Sequence, residues 1–312
     1  MEQSNNIPNT LFVRNRKNFA SQMAKNSIAV FTANEEMPRN GDQCFPFRQN
    51  SDFFYLTGID REGAFLILYP DHPIEAMREI LFIEPYDEMK AIWRGEMLDA
   101  NQAKELSGCA TVRYSNSFDD ILKELILSSE KVYLNLYEYS RFSSDVVTIQ
   151  QRFVKKIMNE YPLHTFERSA PILNSLRKIK SEEELEVMRK ACEITGKAFL
   201  HIKDTVRPGR SEYEMQAEME YVFKMNNANG HAFQPIIAGG KNACCLHYSK
   251  NNSILNDNEM LLLDMGCEYK NYASDLSMTI PVNGSFTHRQ NECFDALLRF
   301  KKVIFYLYFF GS

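Results

Sequence analysis

The sequence predicts an α/β domain followed by a second domain that opens with helices and closes in β structure. Three observations carry this. Through the first half, short apolar strand-like runs alternate with helical patterns. Near residues 168–180, "RSAPILNSLRKIK", that alternation stops and a long helical pattern begins. Beyond Gly230 the period becomes that of strands and ends in an apolar hairpin, "MLLLDMGCEYKNYASDLSMTIPV", residues 260–282.

The elements follow in order. Residues 10–26 place Leu11, Phe12, Phe19 and Met23 at helical spacing, with Asn9 and Thr10 as cap candidates. "SIAVFTA" reads as a strand, and "GAFLILYP", "EILFIEP" and "KVYLNLY" read as further buried strands. "DANQAKELSG", "SFDDILKELILSS" and "DVVTIQQRFVKKIMNEY" supply helices between and after them. This sets a first domain at residues 1–172. The second, from 177, starts with "SEEELEVMRKACEITGKAFLHIKDTV". Ser181 can cap this helix, three glutamates meet the positive end of its dipole, and Leu185, Met188, Cys192 and Phe199 mark an apolar side. "RPGR" breaks it, and a Ser211–Glu214 capping pair opens the next helix, which stops at Asn229-Gly230. "FQPIIAGG" and "CCLHYSK" then read as strands, with Cys244 and Cys245 as small buried side chains.

The bulk properties exclude several function classes. A chain of 312 residues has room for two domains and a sizeable core. Net charge −5 and pI about 5.8 leave no basic footprint for nucleic acid. Seven cysteines without a C-x-x-C fit free thiols in a reducing cytoplasm better than a disulfide framework. No run approaches the roughly 20 apolar residues that span a bilayer, so no membrane partner is expected. The nearest, "VIFYLYFFGS" at residues 303–312, is too short.

The hairpin poses the chemical question. Aspartate is depleted in strands, and a buried carboxylate without a partner is costly. A turn centred between Tyr269 and Lys270 would set Asp264 directly opposite Asp275, with Cβ atoms about 4.5–5.5 Å apart. Alternation then puts Leu262, Asp264, Gly266, Ala273, Asp275 and Ser277 on one face. Leu261, Leu263, Met265, Cys267, Tyr272, Leu276 and Met278 share the other. Opposed like charges call for a shared proton, a basic partner or a bound cation, and carboxylates suit hard cations. The bland alternative is two independent surface aspartates, since a register shift would dissolve the pairing.

At this point the residues resemble a known family. "LLDMGCEYKNYASDLSMTIPVNG", with "FQPIIAGGKNACCLHYSKNNSIL" placing His247 seventeen residues before Asp264, resembles the proline-specific metallopeptidases of the creatinase group. "FPFRQNSDFFYLTGIDREGAFLIL", "AIWRGEMLD" and "LRKIKSEEELEVMRKA" are similar to segments of its aminopeptidase P branch. The resemblance runs to about residue 302. It implies a pita-bread α+β catalytic domain over residues 177–302, acting on peptides with proline at the second position. It implies two divalent metal ions, manganese in the first instance, with Asp264 and Asp275 as ligands. His247 would contact substrate and stabilise the transition state. A homo-oligomer is implied too, with Trp93 near a neighbouring subunit's site.

The same resemblance brings a departure. The family's further ligands, one histidine and two glutamates, have no counterpart here, and His288 is not one of them. Residues 303–312 do not match the family pattern. The expectation is an incomplete catalytic domain that cannot fill two metal shells and does not hydrolyse peptides as it stands. An Xaa-Pro dipeptidase is the alternative within the same chemistry. A non-catalytic pita-bread binding module is the alternative outside it, disfavoured because both aspartates are kept. Arg48 reads as a structural ion-pair or interface residue, and His231 has no assigned role beyond a pocket position.

Overall fold

In the computed structural model, which describes residues 7–139 and 145–310, the chain divides into two units, residues 1–183 and 184–312. The first contains helices α1 (Asn9–Ala20), α2 (Ser51–Thr57), α3 (Glu88–Arg94), α4 (Ala100–Ser107), α5 (Phe118–Ser128), α6 (Ile149–Glu160) and α7 (Ala170–Lys178). Its strands are β1 (Ser27–Thr32), β2 (Pro38–Asn40), β3 (Gln43–Cys44), β4 (Phe65–Leu68), β5 (Glu79–Ile83), β6 (Thr111–Tyr114), β7 (Lys131–Leu134) and β8 (Thr165–Arg168). Six of them form a mixed sheet in the order β6-β5-β4-β1-β7-β8.

The four strands expected from sequence are β1, β4, β5 and β7. They read as unbroken apolar runs because both sheet faces are covered. Phe31, Leu66, Leu81 and Ile83 enter one core cluster; Ile28, Val30, Ile67, Ile80, Phe82 and Val132 enter the other. The edge strands "TVRY" and "TFER" carry no fully buried residue, so no apolar run announced them. The stretch expected as a boundary forms α7, whose Leu173 packs into the first unit's core. The cap of α1 also differs: Pro8 occupies that position, Asn9 and Thr10 lie inside the helix, and the Asn9 amide donates to the Glu105 carbonyl instead (2.9 Å).

One buried cation organises this unit. Arg16 on α1 is 1 % exposed. Its Nη1 donates to the carbonyls of Leu56 (2.7 Å) and Ser107 (2.9 Å), which lie in the last turns of α2 and α4. Its Nη2 stands 2.9 Å from the Glu79 carboxylate. The negative ends of two helix dipoles and one carboxylate thus share one guanidinium.

The second unit holds α8 (Glu182–Thr205, from Glu184 onward), α9 (Glu212–Met225), β9 (Gly230–His231), β10 (Ile236–Gly239), β11 (Met260–Met265), β12 (Cys267–Tyr269), β13 (Tyr272–Ala273), β14 (Leu276–Pro281) and α10 (His288–Phe310). Two three-stranded sheets form, β10-β11-β14 and β13-β12-β9. The core joins Ala191, Ile194, Ala198 and Ile202 of α8 to Met215, Met219 and Phe223 of α9 and to Leu261, Leu263 and Met265 of β11. The buried stripe of α8 therefore differs from the expected one: Cys192 is exposed, and small residues such as Ala191 and Ala198 face the core. The stripe is rotated rather than made of smaller residues: Val187, Ile194 and Ile202 are buried with the alanines, and Phe199 of the expected set packs partly against the core. "CCLHYSK" is not a strand either. Gly240 adopts φ +51, a 3₁₀ turn runs from Gly240 to Cys244, and Cys244 and Cys245 are exposed. Residues 303–310 of the expected tail continue α10, and residues 311 and 312 lie outside the described residues.

Removing the shared guanidinium leaves two carbonyls without their donor and the Glu79 carboxylate without its counter-charge. Arg16→Ala is expected to cost about 3 kcal/mol, read by urea denaturation of the full chain under circular dichroism. A loss within experimental error of zero would show that water replaces the guanidinium without cost.

Candidate functional site

The hairpin that carries both aspartates turns at Lys270 and Asn271. Both adopt left-handed backbone, φ +48 and +65, the requirement of a tight two-residue hairpin turn. The turn thus lies one residue later than expected, and the register changes with it. Asp264 stands opposite Ser277, not Asp275, and Met265 stands opposite Leu276. Asp275 falls in the short break between β13 and β14. A shift of two positions keeps parity, so both carboxylates stay on the face opposite the core, now as diagonal neighbours. The face assignment itself holds: Leu261, Leu263 and Met265 are fully buried, while Leu262 and Asp264 alternate with them as half-buried residues.

The break is built by a close approach. A Cβ at Gly266 would lie 1.9 Å from the Ser274 carbonyl oxygen and 3.0 Å from the Phe233 ring, so only glycine fits. The Ser274 hydroxyl, fully enclosed, lies 2.7 Å from that of Thr195 on α8, and both accept from the Cys267 backbone N–H at 3.1 Å. The residue before Asp275 is thereby anchored to the unit's main helix. At the far end of the hairpin, the Tyr272 hydroxyl donates to the buried Glu184 carboxylate (3.0 Å).

Asp264 occupies mid-sheet, between Ile236 of β10 and Ser277 of β14. Among the described residues nothing donates a hydrogen bond to either Asp264 or Asp275. Burial raises the Asp264 pKa, the Asp275 charge raises it further, and His247 draws it back down. The charges of Asp275 and His247 thus both act on Asp264, in opposite directions. His247 itself is exposed, in the turn that follows the 3₁₀ segment.

Sequence reasoning missed the residue that holds this turn. Glu212, at the first position of α9, is 0 % exposed. Its carboxylate accepts from the backbone N–H of Gly239 (2.8 Å) and Ser253 (2.9 Å), from the Asn242 amide (3.0 Å) and from the Tyr248 hydroxyl (2.7 Å). Burial alone would raise its pKa, but these hydrogen bonds hold it below the usual carboxylate range. The one available signal was an acid in the first helical turn, which read only as a dipole partner. The Ser211–Glu214 pair does form: Glu214 accepts from the Ser211 N–H (2.7 Å) and hydroxyl (2.8 Å).

The remaining candidates have ordinary surroundings. His231 lies 2.9 Å from Glu220 and edge-on to the Phe223 ring. In the first unit, Arg48 donates to the Gln49 carbonyl (2.8 Å), and Trp93 on α3 is 80 % exposed. The oxygen donors of Asp264 and Asp275 suit a hard divalent cation in kind but fall short in number. Among the described residues, no three His, Cys, Asp or Glu side chains converge as a metal-holding group.

Comparison with known proteins agrees with the two-unit organisation. The family model for "Aminopeptidase P, N-terminal domain" matches residues 12–133, and that for "Metallopeptidase family M24" matches residues 186–308. The chain is 33% identical over 298 residues to the Xaa-Pro aminopeptidase of Escherichia coli strain K12, across 95% of this chain and 67% of that protein. Against the Xaa-Pro aminopeptidase of Haemophilus influenzae it is 31% identical over 296 residues, across 95% and 66%. A solved structure of aminopeptidase P from E. coli in a low-pH form matches with TM-score 0.84 at 31% identity, covering 94% of this chain and 67% of that one. The chain spans about two thirds of the length of these relatives.

The pH dependence of the aspartate pair follows from its sign. A folded-state pKa above the unfolded value favours the fold in acid, and that contribution is lost as pH rises through the folded pKa. At neutral pH, in chelator, the ionised pair therefore burdens the fold. Asp275→Asn is expected to melt at or above wild type at pH 7, and the difference should vanish near pH 3 as Asp264 takes up its proton. Thermal melts at the two pH values decide this. A variant far less stable than wild type at pH 7 would mean that Asp275 has a stabilising partner.

Proposed function

We propose a function on one premise: the chain belongs to the aminopeptidase P branch of the M24 metallopeptidases. The reaction is metal-dependent hydrolysis of the bond between a peptide's first residue and a proline at position two. The observation that carries the reading is the placement of Asp264 and Asp275 as diagonal neighbours on the hairpin face away from the core, with no hydrogen-bond donor to either among the described residues. Asp264 and Asp275 hold divalent cation, manganese in our reading, through unshared carboxylate oxygens. When bound, such ions acidify water and polarise a carbonyl. His247, exposed beside them, donates a hydrogen bond to the substrate carbonyl oxygen as negative charge develops there.

Two carboxylates are too few for a dinuclear centre, so these 312 residues by themselves bind cation weakly and do not hydrolyse peptide. We place the protein in a reducing cytoplasm, consistent with seven free thiols. Among the described residues no helix is long and apolar enough to cross a membrane. A homo-oligomer is favoured by Ile92 and Trp93, exposed side by side on α3 at 69 % and 80 %.

Manganese(II) titration of the purified chain, read by water-proton relaxation, is expected to show weak binding that Asp264→Asn and Asp275→Asn each abolish. Binding untouched by both substitutions would remove the metal assignment. In the same preparations, an Ala-Pro peptide is expected to stay intact. Release of its first residue, lost in Asp264→Asn, would show that the remaining ligands come from residues not assigned here.

A further inference from the structure

The segment from Gly239 to Ser253 carries His247 and has almost no regular structure of its own. It comprises the 3₁₀ turn, two exposed cysteines, Leu246 at 87 % exposure and His247. No side chain of residues 240–253 belongs to the unit's apolar core, so burial does little to fix the loop. The Glu212 carboxylate supplies what the core does not. It accepts from the N–H at each end of the loop, Gly239 and Ser253, so one group closes the ring. It also accepts from Asn242 and Tyr248, on either side of His247. Asn242 in turn donates to the Ser253 hydroxyl (2.9 Å), tying the loop's start to its end.

One turn further along the same face of α9, Gln216 extends the attachment. Its side-chain oxygen accepts from the Asn251 amide (3.0 Å). Asn251, 2 % exposed and in left-handed backbone at φ +45, also donates to the Pro235 carbonyl (3.0 Å) and accepts from the Ile237 N–H (3.0 Å). Pro235 and Ile237 flank the start of β10, the strand that pairs with Asp264. The α9 face at positions 212 and 216 therefore fixes both the loop that bears His247 and the strand beside Asp264.

We propose that Glu212 is a positioning residue: it clasps the 239–253 loop closed and sets His247 over the face that carries Asp264 and Asp275. Gln216 and Asn251 support it. The inference rests on the reading of that face as the reaction site. Glu212 itself touches neither substrate nor cation. It acts through Tyr248, the immediate neighbour of His247. A charged acceptor suits this task, since four donors converge on two oxygens and a neutral amide would turn its own N–H groups toward some of them.

The test uses the full 312-residue chain as wild type, Glu212→Gln and Tyr248→Phe. Hydrogen exchange by mass spectrometry reads the 239–253 segment against the β11 and β14 amides. The His247 ring resonance is followed by NMR, alone and with manganese(II) added. Glu212→Gln is expected to speed exchange in the 239–253 segment at least tenfold while β11 and β14 stay within twofold. It should also weaken manganese-induced broadening of the His247 ring relative to amides near Asp264. Tyr248→Phe, which loses one donor only, is expected to fall between the two and to fold even if Glu212→Gln does not. Equal loosening of loop and strands in Tyr248→Phe, or unchanged exchange and unchanged broadening in both variants, would overturn the positioning role. Failure of manganese to broaden any resonance near Asp264 in wild type would count against the metal reading instead, leaving the exchange result to decide the clasp.

Discussion

Two ionised carboxylates on one face of a hairpin repel, and neither is offered a hydrogen bond by any described residue. The second unit is arranged around keeping them there. The hairpin keeps one register across the break at Gly266, where the Ser274 carbonyl approaches too closely for any side chain, and that register leaves Asp275 diagonal to Asp264. The Thr195–Ser274 hydroxyl pair makes that break part of the core rather than a loose bulge, because both oxygens accept from the Cys267 N–H. The opposite face of β11, with Leu261, Leu263 and Met265 fully buried, anchors the strand through apolar burial. At about 25 cal/mol per Å² of apolar surface, three fully buried large side chains can outweigh the repulsion of one half-solvated pair.

The first unit solves a different problem. Its sheet is covered on both faces, so its helices must end against protein, where a helix C-terminus cannot rely on water for its carbonyls. Arg16 meets this for α2 and α4 at once. Arginine suits the place because one planar, always charged group can donate to both carbonyls and still face the Glu79 carboxylate. Glycine completes the arrangement at the end of α2: Gly58 takes φ +68, and any Cβ there would meet the Phe12 ring at 2.3 Å.

Much of this was legible in the sequence, and the reasons differ by element. β1, β4, β5 and β7 were visible because burial on both faces leaves a continuous apolar run between polar ends such as Ser27, Glu79 and Lys131. β6 and β8 were not, because an edge strand with mixed exposure has no such signature. The two faces of the hairpin survived a wrong turn assignment because the register moved by an even number of residues. The local sequence around the turn contained the correction, since Lys-Asn can adopt the two left-handed conformations that Tyr-Lys would resist. The buried side of α8 was misjudged in part because two apolar stripes lie next to each other, Leu185, Met188 and Cys192 on one and Val187, Ala191, Ile194, Ala198 and Ile202 on the other, and only the second is fully buried. Glu212 was beyond pattern reading: its four partners lie 27 to 41 residues away, whereas Glu214, two positions on, has the local capping signature that made it legible.

The contrast between Glu212 and Asp264 separates support from chemistry within one unit. Both are acids withdrawn from water, and burial pushes both toward the neutral form. Glu212 is surrounded by donors that replace its hydration, so its charge is fully compensated and it has no capacity left to bind anything else. Asp264 lost part of its hydration without that replacement and faces a second carboxylate besides. Its charge is only partly offset, by His247, and this is the character expected of the cation ligand proposed above. A side chain evolved only for stability would have been given donors, as Glu212 was. The absence of donors to Asp264 among the described residues, on the central strand of its sheet, is the physical argument for the proposed division between a reacting face and a scaffolding one.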